Sequence, residues 1–268
     1  MFAKFNYLPN HYYYNTYFNS HLETGRQIYN DMEKRSRECL HEFILQNGHI
    51  DGSALKEHWF NIVKADVFLS HSHKDIEKVK GFAGWLYDAL GLTSFIDSCV
   101  WGYCDDLLLE IDKLYCWQPS SKTYNYTLRN YTTTHVHTML ASALTEMIDN
   151  TECMIFFNTP SSIILKDELQ TIKSGEDAKT LSPWIYHELS VSSMIQSTPP
   201  QRLALLQESR SKTLFHSSFS SIDIEYNVEK FLRKMIKLED SDIMDWAENH
   251  KSSRNALDEL YVMMNTQK

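Results

Sequence analysis

Glycine is scarce in this chain, with 8 in 268 residues. The sequence contains neither G-x-x-x-x-G-K-[ST] nor G-x-G-x-x-G. In proteins that contain them, both motifs bind phosphate groups through the backbone of a glycine-rich loop beside a helix N-terminus. Their absence excludes the standard glycine-rich nucleotide loops, although an anionic small ligand could still be held in a local pocket.

An excess of basic residues is also lacking, because 26 Lys and Arg face 35 Asp and Glu, for a net charge of −9. We therefore expect no nucleic acid among the partners, since such binding relies on phosphate neutralisation. No apolar run approaches 18 residues, so we expect no membrane span. The start, MFAKFNYLPNHYYY, has no basic region followed by an apolar run, and no signal peptide is expected. The five cysteines show no C-x-x-C spacing, which favours free thiols and a cytoplasmic location.

What is present indicates a globular α/β protein, with 43% hydrophobic and 13% aromatic residues. Short apolar strands are predicted at 65–70, 92–97 and 152–160, with amphipathic helices at 74–91 and 134–151 between them. Strand, helix and strand in this order predict parallel pairing. The predicted fold is a flavodoxin-like parallel sheet with helices on both faces.

The sheet is expected within residues 64–230. Residues 1–63 are predicted to form an N-terminal helical extension, with a helix from 20 to about 46, and residues 231–268 a set of C-terminal helices. A long insertion at about 98–133 is predicted to be helical in its middle and a loop at its Ser/Thr/Asn-rich end. RLALLQ and SSIDIEYNV, after Pro199 and Pro200, are further strand candidates.

Polar residues follow three predicted strands: Ser70-His71-Ser72, Asp97-Ser98 and Asn158-Thr159. Ligands of such sheets bind at the carboxyl ends of the strands, so these groups are expected to gather there. The segment SPWIYHELS begins a further helix, with Ser182 as N-cap and Pro183 at the first position. Trp184 and Glu188 are four residues apart and therefore share a face of that helix.

DVFLSHSHKD, SFIDS and SPWIYHELS, in this order, resemble a TIR (Toll/interleukin-1 receptor) domain. In that family the first strand ends in a similar Ser-containing box, and the helix after the third strand carries a W-x-x-x-E pair, here Trp184 and Glu188. The resemblance covers roughly residues 64–230. It departs from the family after the second strand, where SCVWGYCDDLLLEID replaces the short BB loop with its Arg-Asp and Pro-Gly.

The intact glutamate is similar to that of bacterial TIR enzymes, including those of the Thoeris antiphage systems. The resemblance implies cleavage of NAD, as substrate and not cofactor, at the nicotinamide–ribose bond. The product would be ADP-ribose, a cyclic isomer or a conjugate. It further implies a homo-oligomer, a phage-derived trigger and a downstream effector that senses the product.

This chemistry requires a carboxylate near a ribose that becomes oxocarbenium-like, and Glu188 is the predicted catalytic residue. Trp184 is predicted to stack on nicotinamide or wall the ribose pocket. Ser70, His71 and Ser72 are predicted to bind ribose or phosphate, with Asp97 and Ser98 on the second side. Trp101 and Tyr103 are candidate lids that exclude water.

Three alternatives stay open. Glu188 could be structural in a TIR interaction module without turnover. The pairs His71-x-His73 and His135-x-His137, with Asp97 or Cys99, could form the metal site of a hydrolase, although His135 and His137 would fall on opposite sides of a helix that starts before them. A set of cysteines in the insertion could sense redox state: Cys99, Cys104 and Cys116.

Overall fold

The computed structural model describes residues 1–10, 17–33, 40–46, 49–60, 62–164, 178–203, 224–250 and 255–264. The strands are β1 (Ala3–Tyr7), β2 (Val67–Ser70), β3 (Ser94–Ile96), β4 (Trp117–Gln118), β5 (Thr123–Tyr124), β6 (Cys153–Phe157), β7 (Lys179–Thr180), β8 (Tyr226–Asn227) and β9 (Ile236–Leu238). The α-helices are α1 (Leu22–Glu33), α2 (Gly52–Trp59), α3 (Ile76–Leu90), α4 (Ser98–Ile111), α5 (Tyr126–Asn150), α6 (Pro183–Met194), α7 (Glu229–Leu232), α8 (Asp240–Asn249) and α9 (Ala256–Met263).

Five strands form one parallel sheet in the order β3-β2-β6-β1-β9. The predicted α/β class with a parallel sheet is therefore confirmed. A flavodoxin-like sheet has the order 2-1-3-4-5. Here β3, β2 and β6 reproduce its first three places, and the fourth place is taken by β1 from the N-terminus of the chain.

The expectation that residues 1–63 form a purely helical extension is wrong at its start. Ala3, Phe5 and Tyr7 are buried and alternate with the less buried Lys4 and Asn6, which is the period of a strand. β1 pairs with β6 on one side and β9 on the other. The five residues of β1 are too few to give a clear period in the sequence. The aromatic residues around β1 also obscured its alternation of buried and less buried side chains.

The predicted helix at 20–46 is present only in part. Its described portion is α1 from Leu22 to Glu33, and Leu40–Phe43 forms a separate 3-10 turn. α1 packs closely on α3, because a Cβ at Gly25 would lie 1.7 Å from the Lys80 carbonyl oxygen. Glycine permits this approach of two backbones.

The insertion at 98–133 contains more helix than expected. α4 begins directly after β3, a π-helical turn follows at Asp112–Cys116, and an antiparallel hairpin of β4 and β5 leads into α5. The Ser/Thr/Asn-rich end, predicted to be a loop, is the first part of α5. Asn125 caps this helix by accepting a hydrogen bond from the backbone N–H of Leu128, 3.0 Å away.

The C-terminal prediction is corrected in one element. Helices α8 and α9 are present, but residues 236–238 form β9 at the edge of the main sheet. The sheet thus continues across both expected boundaries, 63/64 and 230/231. SSIDIEYNV is described only from residue 224, where β8 pairs with β7. RLALLQ from residue 204, and the polar segment 165–177, lie outside the described residues.

Helices cover both faces of the sheet and enclose two apolar cores. One face packs against α2, α4, α5, α6 and α7, around Phe68, Phe95 and Phe156. The other face packs against α3, α8 and α9, around Phe5, Tyr7 and Phe157. Among the described residues, no helix combines the length and apolarity needed to cross a bilayer.

Candidate active site

Two adjacent strands deliver the first polar groups of the candidate site. Ser70 is the last residue of β2, and Asp97 directly follows β3. Parallel pairing of these strands aligns their carboxyl ends, so the two side chains meet at one edge of the sheet. Both side chains are fully buried, as is that of Glu188, which arrives from α6.

Glu188 lies on α6, whose N-terminus has the usual capping residues of an α-helix. The Ser182 hydroxyl accepts a hydrogen bond from the backbone N–H of Ile185 at 3.2 Å, and Pro183 occupies the first helical position. The helix buries Ile185, Glu188 and Leu189. A carboxyl group therefore lies on the inward face of the helix, and burial of such a group requires hydrogen bonds to offset lost solvation.

Glu188 receives one such bond, from Ser70. The Ser70 hydroxyl donates to Glu188 Oε2 over 2.5 Å, whereas Glu188 Oε1 has no hydrogen-bond partner among the described residues. The carboxyl group of Asp97 lies close enough to raise the pKa of Glu188. Two neighbouring carboxyl groups repel each other when both are ionised, so this pair favours a state in which one of them carries a proton.

Burial is the main cause of the raised pKa values of Asp97 and Glu188. It raises the pKa of Glu188 well above its usual range, and the charge of Asp97 raises this pKa further. The hydrogen bond from Ser70 acts in the opposite direction. Burial also raises the pKa of Asp97 to about 8, and the neighbouring Glu188 and the backbone N–H groups of His71 and Ser98 oppose this change. At neutral pH the pair thus holds at least one proton.

His71 adds a neutral imidazole beside the carboxyl pair. Its Nδ1 lies 2.6 Å from Asp97 Oδ1, and both side chains are fully buried. Burial lowers the pKa of His71 to about 4, although the charge of Glu188 acts in the opposite direction. At neutral pH this ring is uncharged, and it contributes a hydrogen-bonding group without a cation.

Two further predicted residues flank this cluster. Ser98 is the first residue of α4, is buried, and has a hydroxyl with no hydrogen-bond partner among the described residues. Such an atom is available to a ligand that enters the cluster. Ser72 is half-buried and opens a 3-10 turn, where its carbonyl accepts a hydrogen bond from the Asp75 N–H at 2.8 Å.

Other predicted residues have contacts elsewhere. The half-buried Trp184 ring meets His137 edge to face at 5.6 Å, with His187 at 6.5 Å. Tyr103 is buried in α4, and its hydroxyl donates to the carbonyl of Met32 over 2.8 Å. This bond ties Tyr103 to α1, so its expected role as a lid is corrected to one of packing. Trp101 lies in α4, but its side chain falls outside the described residues.

The third predicted strand end forms a second polar cluster. Thr159 donates to Asp75 Oδ2 over 2.6 Å, and Lys78 Nζ lies 3.0 Å from Asp75 Oδ1. Asp75, missed from the sequence, lies near enough to raise the pKa of His71. The only feature of the sequence that could have indicated a role for Asp75 is its position in the run of polar residues after β2. This cluster lies near His71 and links the segments that follow β2 and β6.

The described residues do not assemble the alternative metal site. Among them, no three or more His, Cys, Asp or Glu side chains form a group that could hold a metal ion. His71 is buried, whereas His73, His135 and His137 are exposed. α5 begins at Tyr126, ahead of His135 and His137, and therefore carries them on opposite sides.

The buried state of the described cysteines gives little support to the hypothesis that they sense redox state. The four described cysteines, Cys99, Cys104, Cys116 and Cys153, are free and buried. Burial raises the pKa of Cys104 to about 12, and it also raises those of Cys116 and Cys153. Thiols of this kind stay protonated and react slowly, because the thiolate is the nucleophile.

The fold and its buried carboxyl groups were compared with known proteins. No family model matches the chain, no curated protein matches it, and no solved structure matches it.

Proposed function

We propose that this protein is a TIR-type enzyme that cleaves NAD between nicotinamide and ribose, with Glu188 as the catalytic carboxylate. The observation that carries the proposal is the Ser70–Glu188 hydrogen bond of 2.5 Å at the carboxyl end of β2. It joins the Ser-containing box to the glutamate of the W-x-x-x-E helix. These are the two segments on which the resemblance to a TIR domain rests.

The electrostatics of the cluster suit a substrate that becomes more positive at its sugar. The nicotinamide group leaves as a neutral molecule, and the ribose passes through an oxocarbenium-like state. A carboxylate in a buried, low-dielectric site stabilises that charge more strongly than it would in water. The positive charge of bound substrate would also favour loss of the proton that Asp97 and Glu188 hold.

The proximity of the carboxyl groups supports different roles for them. Retaining glycosidases place their two carboxyl groups on either side of the reacting bond. Asp97 and Glu188 are instead both fully buried and close enough for each to perturb the pKa of the other. In this proposal Asp97 sets the protonation state of Glu188, and Glu188 faces the substrate.

Full burial defines a condition for activity. The side chains of Ser70, Asp97 and Glu188 have no exposed surface, so NAD must separate Ser70 from Glu188 to reach the carboxyl group. The Ser70 and Ser98 hydroxyls would then be available to the ribose hydroxyls. A resting enzyme with a closed site agrees with activation by a trigger, which the resemblance identifies as phage-derived.

The biological setting follows from the same resemblance. The protein would act in the cytoplasm in antiphage defence, and its ADP-ribose-derived product would signal to a partner effector. Hydrolysis would give ADP-ribose, internal attack a cyclic isomer, and a foreign acceptor a conjugate. We expect the enzyme to work as a homo-oligomer.

The proposal is tested in cells that express the wild type or Glu188→Gln, with and without phage challenge. NAD, nicotinamide and ADP-ribosyl products are followed by mass spectrometry. Glu57→Gln is the matched control, because it makes the same change at an exposed position of α2. Nicotinamide and a new ADP-ribosyl species should appear in the wild type and the control, and be lost in Glu188→Gln.

A second candidate function is a TIR interaction module without turnover. It is favoured by the burial that closes the site, since a buried, hydrogen-bonded polar pair such as Ser70 and Glu188 can also act as a specific element of the core. This alternative requires soluble wild-type protein to release no nicotinamide under challenge. It further requires the Glu188→Gln variant to bind the same partners as the wild type.

A further inference from the structure

His187 directly precedes Glu188 on α6 but lies outside the buried cluster. Successive residues of an α-helix point about 100° apart. Because Glu188 points to the end of β2, His187 points sideways from the same turn of α6. There it meets the neighbouring helix α5, and its half-buried ring lies between the two helices.

Two oxygen atoms of α5 contact the imidazole ring. His187 Nε2 lies 3.1 Å from the carbonyl oxygen of Ala141 and 3.2 Å from the hydroxyl oxygen of Thr145. The Thr145 hydroxyl donates its own hydrogen to the Ala141 carbonyl over 2.8 Å. Both oxygens therefore act as acceptors toward the ring, and the neutral imidazole must carry its hydrogen on Nε2. Burial lowers the pKa of His187, so the ring is neutral at pH 7.

These contacts restrict the rotation of α6 about its own axis. The bond from Ser70 to Glu188 ties the helix to the end of β2, and the bond from His187 ties the same turn to α5. The buried Ile185 and Leu189 add apolar contacts with the core. Apolar contacts have no preferred direction, whereas hydrogen bonds do. The direction in which Glu188 points is therefore set by both bonds together.

The two bonds differ in what happens to them when the site opens. NAD must separate Ser70 from Glu188 to reach the carboxyl group, so the bond to β2 is lost in the reactive complex. The His187 bond is made to α5, away from the Ser70–Glu188 contact that the substrate must break. Of the two directional contacts, that of His187 would then be the one that still orients Glu188.

We propose that His187 is a positioning residue, which holds α6 on α5 and thereby keeps Glu188 aimed at the ribose while the site is open. The inference rests on the proposed NAD cleavage and deepens it. The Ala141 carbonyl keeps the Thr145 hydroxyl as a donor when the imidazole is removed. Loss of His187 should therefore disturb the reaction more than the fold, since a misplacement of about 1 Å can lower a rate about 10²-fold.

His187→Gln and His187→Asn test this role, because they present the same amide group on side chains of different length. The Gln amide nitrogen can take the place of imidazole Nε2 and donate to Ala141, whereas the Asn amide is one methylene shorter. In cells under phage challenge, nicotinamide release by His187→Asn should fall about 10–10²-fold, and release by His187→Gln should stay within about threefold of the wild type. His49→Asn is the matched control at an exposed position before α2, and it should release nicotinamide like the wild type.

Two measurements on the purified full chain separate positioning from folding. Urea denaturation should give closely similar midpoints for the wild type and the three variants. Nitrogen-15 NMR at pH 7.5 should show the His187 ring as the Nε2–H form, with its signals assigned by their loss in His187→Gln. This second measurement requires neither NAD nor a trigger.

The possible outcomes distinguish this inference from the proposed function. The inference is overturned if the wild type releases nicotinamide and His187→Asn does so equally fast, or if His187→Gln loses as much activity as His187→Asn. An Nδ1–H ring also overturns it, as does a much lower urea midpoint for His187→Asn, which would make the role structural. If the challenged wild type itself releases no nicotinamide, the proposed NAD cleavage fails and the inference fails with it.

Discussion

The hydroxyl of Ser70 and the carboxyl group of Glu188 lie 2.5 Å apart, although 118 positions separate them in the chain. This bond connects the end of β2 with the inner face of α6. Asp97 completes the cluster from the end of β3. The stability of the fold and the proposed chemistry therefore depend on the same few atoms, and substitutions at Glu188 can distinguish between them.

Glu188→Gln should separate stability from activity. Because burial keeps the pKa of Glu188 high, the neutral glutamine resembles the protonated state and can still accept a hydrogen bond from Ser70. We expect a loss of unfolding free energy below about 1 kcal/mol, and a loss of NAD cleavage of about 10²–10³-fold. Glu188→Ala leaves the Ser70 hydroxyl without its acceptor and should cost about 1–3 kcal/mol in addition. Chemical denaturation and product assays measure both effects, and equal destabilisation by Gln and Ala would contradict the hydrogen-bond assignment.

Asp97 should make stability fall as pH rises. Its pKa is about 8 in the folded protein and near 3.8 when unfolded, so the folded state binds more protons between these values. Stability from this group is complete below the unfolded value and is lost as pH rises through the folded value. His71, whose pKa is lowered to about 4, acts in the opposite direction only below about pH 6.5.

Urea denaturation between pH 6.5 and 8 reports on Asp97 together with Glu188, because Asp97→Asn also removes the charge that raises the pKa of Glu188. The wild type should lose up to about 1.4 kcal/mol per pH unit relative to Asp97→Asn. The buried Met1 amino group, whose pKa is lowered, titrates with the opposite sign in both proteins and cancels in the comparison. Parallel pH profiles for the two proteins would show that Asp97 is already ionised.

The described thiols should resist alkylation in the folded state. Cys99, Cys104, Cys116 and Cys153 are buried, and the pKa of Cys104 reaches about 12. Iodoacetamide labelling at pH 7.5, read out site by site with mass spectrometry, should modify these four residues only after denaturation. Rapid labelling of Cys104 or Cys116 in folded protein would restore the redox interpretation.

β1 should be essential to the fold. Phe5 is fully buried between β6 and β9, so Phe5→Ala should cost about 3–5 kcal/mol of unfolding free energy. Ile62→Ala, at a position that is 40% exposed, should change it by less than about 0.5 kcal/mol. A similar small loss for both variants in urea denaturation would mean that β1 is dispensable.

Long elements with one clear period were predictable from the sequence. The strands at 67–70 and 153–157 and the helix α3 are close to their predicted positions, because a buried strand and an amphipathic helix each leave a distinct pattern. β1 and β9 were missed, since strands of five and three residues gain most of their stability from neighbours remote in sequence.

The candidate site was predictable only as a group of strand ends. Order along the chain placed Ser70 and Asp97 on adjacent strands, as the sheet confirms. It could not reveal that Tyr103 binds the Met32 carbonyl, or that Trp184 packs on His137, because these contacts depend on how helices pack in three dimensions. Helical spacing showed that Trp184 and Glu188 share a face, but not which of them points inward.

The position of β1 also determines when the sheet can be completed during synthesis. β1 leaves the ribosome before both of its neighbours, β6 and β9, which begin at residues 153 and 236. The nascent chain must therefore carry an unpaired, aromatic-rich strand until those segments have been synthesised. The sheet is completed only when β9 emerges, so β1 is a natural target for chaperones until then.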